Sequence, residues 1–147
     1  MASVHDVAAY ILRRVGALTA MKLHKLAYYS HAWHLVWEER PLFDARIEAW
    51  SNGPVIRELY DGHRGTFAVE EWPLGDPDRL DGDERSTVDA VLEFYGDKSA
   101  HELSQLTHHE EPWRRARGDL PEGARSTSVI SDADLHEYYD GLTRTQP

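Results

Sequence analysis

Nine histidines and no cysteine in 147 residues make imidazole the natural starting point for any chemistry here. His31 and His34 are three residues apart and share a face if their segment is helical; His24 lies seven residues earlier on roughly the same side. Neutral imidazoles at that spacing suit zinc or nickel, with His108, His109 or Glu110 as further ligands. No His-Glu-x-x-His pattern is present, and hydrogen-bonded core or surface histidines account for the same spacing. No metal ligand, cofactor site or catalytic residue is therefore assigned.

Two further stretches invite chemistry. In Thr107-His108-His109-Glu110-Glu111-Pro112-Trp113 a histidine beside carboxylates could act as a general acid or base. A junction between two helices, with Trp113 as a core anchor, explains the same residue types. In Ser51-Asn52-Gly53-Pro54 a helix start could offer free N–H groups to an anion, although capping by Asn52 is the simpler reading. No Gly-x-Ser-x-Gly elbow or Walker glycine loop occurs. Aromatic residues carry more weight: five Trp and seven Tyr exceed what a core of this size requires, and such residues dominate binding hot spots. Tyr29 and Trp37 fall toward the polar sides of their helix and are the expected interface candidates.

The elements that must position these residues follow from periodicity and caps. Ser3 caps a helix that stops at Gly16, and Thr19 caps a second one from about Ala20 to Glu39. The second helix is apolar on several sides, so it is expected to be covered all round as the core helix. Ile47 to Ser51 predicts a strand, and Asn52-Gly53-Pro54 predicts a turn with Pro54 at the first helical position. Thr66 to Trp72 predicts another strand, which could pair with the first. Helices follow from about Asp83 to Tyr95, from the Ser99/Glu102 capping box to Leu106, from Pro112 to Arg117, and from Asp132 to Leu142. The expected fold is mainly α, a single compact helical domain over residues 1–147 around a central aromatic-rich helix, with a minor two-stranded β-element.

Charge narrows the partners. The formal net charge is −10, with 26 acidic against 16 basic residues, so the global field repels polyanions and argues against nucleic acid. Nine carboxylates lie between Glu70 and Glu93 against only Arg79 and Arg85, a segment that could steer a basic protein partner. No apolar run approaches the roughly 20 residues that span a bilayer, and no basic-then-apolar leader opens the chain. A cytoplasmic location with no membrane partner is expected.

Motifs spread along the chain resemble the SocA-like Panacea antitoxin domain, a family of bacteria and phages. They run Leu18-Thr19-x-Met21-Lys22-Leu23-x-Lys25-Leu26-x-Tyr28-Tyr29, Trp33-His34-Leu35, Pro41-Leu42-Phe43-Asp44, Ile47-Glu48-Ala49-Trp50, Gly53-Pro54-Val55 and Glu58-Leu59-Tyr60. In the second half come Val91-Leu92-Glu93-x-Tyr95-Gly96, Ser99-Ala100-x-x-Leu103-Ser104-x-Leu106-Thr107-His108 and Glu110-x-Pro112-Trp113-x-x-Ala116-Arg117. His24 and His31 depart from the residues expected at their positions. The resemblance implies an antitoxin that neutralises a cognate protein toxin by direct binding and is not an enzyme. It also implies an alternative role, since some members act as adaptors that present a toxin to a protease; a metal- or His-dependent enzyme is the remaining alternative. The expected partner contacts are Tyr29, Trp37, Arg57, Tyr60, Glu70 and Glu71.

Overall fold

The computed structural model describes residues 1–145, with side chains to residue 143. Helix α1 (Val4–Val15) opens on a capping box in which the Ser3 hydroxyl accepts from the Asp6 N–H and the Asp6 carboxylate accepts from the Ser3 N–H. It closes at Gly16, whose φ of 80° favours glycine and whose N–H returns to Leu12 O. A short strand β1 (Leu18–Thr19) leads into α2 (Ala20–Glu38), where the Thr19 hydroxyl accepts from the Lys22 N–H.

The hairpin β2 (Ile47–Trp50) and β3 (Gly53–Ile56) is antiparallel, with Ala49 opposite Pro54 and Trp50 opposite Gly53. Helix α3 (Arg57–His63) and strand β4 (Ala68–Val69) follow, then a 3-10 turn at Pro77–Arg79. Helices α4 (Gly82–Tyr95), α5 (Ala100–His109), α6 (Glu111–Arg117) and α7 (Asp132–Thr145) complete the described chain. As expected, α2 is the central helix. It is buried from Leu23 to Ala32 without a break and packs against α1, α4, α5, α7 and β3.

Two expectations need correction within this mainly α architecture. Pro54 does not open a helix: it sits in β3, and α3 begins three residues later at Arg57 without a side-chain cap. The missing N–H of Pro54 does no harm there, because its partner Ala49 is bonded on the other edge of β2. The Ala49 N–H reaches Ser128 O at 2.8 Å, and Ile130 N reaches Ile47 O at 2.9 Å. Gly53 supplies the turn with φ 119°. An added Cβ would stand 2.7 Å from Lys25 Cε, so the position requires glycine twice over.

The second correction concerns Thr66 to Trp72. Only Ala68–Val69 is a strand, and it pairs with Leu18–Thr19 rather than with the hairpin. Two small sheets replace the one expected. Among the described residues, no helix is long and apolar enough to cross a membrane.

Candidate functional site

Helix α2 presents different chemistry at its two ends. Near its N-terminal end, Lys25 is fully buried under the hairpin, with its amine 3.3 Å from Pro54 O. Burial with so little compensation lowers the amine from its ordinary value to about 7. Beside it, the Ile56 N–H donates to His24 Nδ1 at 3.2 Å, which leaves the His24 Nε2–H to donate to His63 Nε2 at 2.7 Å. Burial holds both imidazoles neutral, His24 well below its usual range. These contacts fasten α2 to β3 and α3.

The other histidines on α2 go elsewhere. His31 bonds Asp132 at 2.8 Å and stacks on Phe43, while His34 Nδ1 meets the Thr87 hydroxyl at 2.8 Å. The metal hypothesis needs His24, His31 and His34 to converge, and each has a different partner. Among the described residues, no group of three or more metal-ligating side chains comes together. His108 stacks on Trp113 at 4.1 Å and lies 3.3 Å from Glu122.

The second candidate stretch forms a junction between α5 and α6. The Trp113 indole donates to Trp50 O at 2.8 Å. Buried Arg117 donates to four carbonyls, those of Ala49, Pro121, Glu122 and Ala124. This junction fixes the last loop against the hairpin. The anion-site reading of Ser51 to Pro54 loses its premise, since no helix starts there.

At the C-terminal end of α2 the polar groups are inside and the apolar ones outside. Glu110 is buried, and its Oε1 accepts from the Tyr29 hydroxyl at 2.6 Å and the Tyr139 hydroxyl at 2.8 Å. Desolvation raises its carboxyl to about 6, against the lowering effect of the two hydroxyls. Oε2 accepts no hydrogen bond among the described residues and is not sealed from solvent.

Above Glu110 runs a groove of about 530 Å³ lined by Trp33, Trp37, Phe94, Tyr95 and Leu106, with Leu142 of α7 on its edge. Trp33 stacks on Trp37 at 5.3 Å and donates to the Tyr95 hydroxyl at 2.9 Å. Trp37 is 45% exposed and Phe94 is 69% exposed. Large apolar side chains left beside solvent in one concave patch mark an interaction site.

The residues expected at an interface scatter. Trp37 lies on this groove. Tyr29 does not reach a surface: it is fully buried, bonded to Glu110 and stacked on Tyr95 at 4.1 Å, because α4 and α7 together cover the side of α2 that pattern alone leaves polar. Arg57 and Tyr60 form a second patch with Trp50, where the Tyr60 and Trp50 rings meet at 4.8 Å and the Arg57 guanidinium stands 5.8 Å from the Tyr60 ring. From His24, which this patch adjoins, to Trp37 is roughly 20 Å along the helix. Glu70 and Glu71 are exposed just after β4.

The acidic segment between Glu70 and Glu93 is not one free face. Asp78 pairs with Arg13, Asp81 with Arg40 and Asp89 with Arg14, while Glu84 is buried in the α4 capping box. Phe94, Leu106 and Leu142 are not among the expected contacts, and the last two enter the sequence reading only as helix and motif positions. Phe94 had a signal, since it stands one position outside the apolar stripe of Val88, Val91, Leu92 and Tyr95.

A family model, the antitoxin SocA-like Panacea domain, matches residues 23–114, more than half of the chain. The matched span runs from α2 through the first residues of α6 and includes most of the groove. Neither the curated proteins nor the solved structures contain a match to this chain. The chain belongs to the SocA-like Panacea antitoxin family.

Proposed function

With that family membership as premise, we propose that this chain neutralises a cognate protein toxin by binding it directly, in the cytoplasm and without turnover. The observation that carries the reading is the groove with Trp37 and Phe94 exposed on its walls. Aromatic anchors around a desolvated centre supply most of the binding energy in protein interfaces. Arg57 and Tyr60 on the second patch, and the exposed Glu70 and Glu71 beyond β4, would add contacts for a toxin large enough to reach them. The net charge of −10 favours fast encounter with a basic toxin surface.

Co-expression with the protein encoded next to this chain tests the proposal. Neutralisation through the groove is expected to give growth rescue and a complex that survives size exclusion, both lost in Phe94→Asp. Rescue without a complex would overturn direct binding. Toxin levels that fall on co-expression, and recover when a host protease is deleted, would favour delivery to that protease over steric neutralisation.

A further inference from the structure

We infer that the groove seats an amphipathic segment of the partner, one that sets large apolar side chains against Trp37 and Phe94 and one lysine or arginine against Oε2 of Glu110. This rests on the direct-binding reading above and adds the chemistry of the occupant. Three observations carry it. The groove is large enough for two or three bulky side chains and is walled by aromatic and aliphatic groups. Among the described residues lining it, Glu110 carries the only charge. That carboxylate is 7% exposed, and its two tyrosine bonds both fall on one oxygen, so the other is left as an acceptor at the base of an apolar site.

The chemistry of the occupant follows from what sealing the groove would do. A wholly apolar occupant would leave Oε2 dry and unpaired, which is costly for a carboxylate. An anionic occupant would meet Glu110 itself, with Glu93 and Asp97 exposed at the end of α4 nearby. A cationic side chain satisfies the free oxygen, and its aliphatic stem covers the aromatic walls. The same charge disfavours a second copy of this chain, which carries a net charge of −10.

A displayed library of random 16-residue peptides, selected on the full-length protein, tests the inference. Enriched peptides are expected to combine two or more of Trp, Phe, Leu and Met with one Lys or Arg, and to lose binding to Phe94→Asp. Replacing that lysine by norleucine in a synthetic peptide is expected to weaken binding to the wild type at least tenfold. The same replacement should change binding to Glu110→Gln less than threefold. Should Glu110→Gln melt near room temperature, the norleucine comparison on wild type and the Phe94→Asp control still decide.

Enriched peptides without a cation, a norleucine peptide that binds as well, or no peptide that depends on Phe94 would overturn the inference. So would self-association that Phe94→Asp abolishes, which would make a second copy the occupant. Peptide binding and growth rescue can fail independently, so a failed occupant is distinguishable from failed neutralisation.

Discussion

At the N-terminal end of α2, Lys25 and His24 are polar groups buried beneath the β2–β3 hairpin; at its C-terminal end, Trp33 and Trp37 are apolar groups left beside solvent. The first arrangement is internally bonded. Pro54 O, Ile56 N–H and His63 take up most of what is buried there, and Arg117 and Trp113 hold the hairpin from its other side. The second is bonded underneath, where Glu110 gathers Tyr29 and Tyr139, and along one wall, where Trp33 donates to Tyr95, and is open above. Buried polar groups bonded to neighbouring elements fix a structure, whereas apolar groups exposed in a concave patch contribute little to it. Substitutions at the hairpin end should therefore act on stability, and those at the groove end on binding.

The largest expected effect is at Arg117. Arg117→Ala removes one donor shared by four carbonyls, of which Pro121 O keeps the Ala124 N–H, and is expected to lower stability by roughly 2–3 kcal/mol, read by urea denaturation. An unchanged midpoint would break the claim that this end is held by buried polar bonds.

Lys25 gives a smaller effect with a characteristic pH signature. Its amine stands at about 7 in the fold against 10.5 in the open chain, so the unfolded state binds more protons between those values. Stability should rise from pH 7 toward pH 9 and fall again as pH returns to 7, with a slope of up to about 1.4 kcal/mol per unit. Lys25→Met should flatten that slope and raise stability at pH 7 by about 2 kcal/mol. A wild-type profile that is already flat over this range would contradict the assignment.

Below neutrality the buried histidines and Glu110 oppose each other. Burial lowers His24, His34, His63 and His108, so their contribution is complete above about pH 6.5 and is lost as pH falls below it. Glu110 has the reverse sign: raised to about 6, its contribution is complete below 4.5 and lost as pH rises through 6. Four groups against one should give a net loss of melting temperature between pH 7 and pH 5. Glu110→Gln should make that loss steeper. A shallower loss in the variant would mean that the Glu110 contribution has the opposite sign.

The smallest effect on stability is expected at the groove. Trp37→Ala and Phe94→Ala should each change stability by less than about 1 kcal/mol, since both rings are largely exposed. Larger losses would mean that these rings belong to the core and would blur the contrast between the two ends.

How much of this was legible in the sequence depends on how local each signal is. Ser3, Thr19 and the Ser99/Glu102 box cap the helices they were expected to cap, because a cap is decided within four residues. Asn52-Gly53-Pro54 misled because a hairpin turn and a helix start use the same residues. What settles it is Ser128 and Ile130 bonding the far edge of β2, about 80 residues away in sequence. Trp37 was legible as an exposed aromatic, while Tyr29 was not legible as buried, because Tyr95 of α4, Glu110 and Tyr139 of α7, all distant in sequence, cover it. Glu110 stood out as a possible metal ligand, but its position beneath a groove depends on three other helices and leaves no mark in its own neighbourhood.

The most direct measurement is the dissociation constant of the purified cognate toxin for wild type and for Phe94→Asp, taken beside their melting temperatures. Binding is expected to be at least 100-fold weaker for the variant, with a melting temperature within a few degrees of wild type. Equal affinities for two equally folded proteins would contradict it and would move the interface away from the C-terminal end of α2.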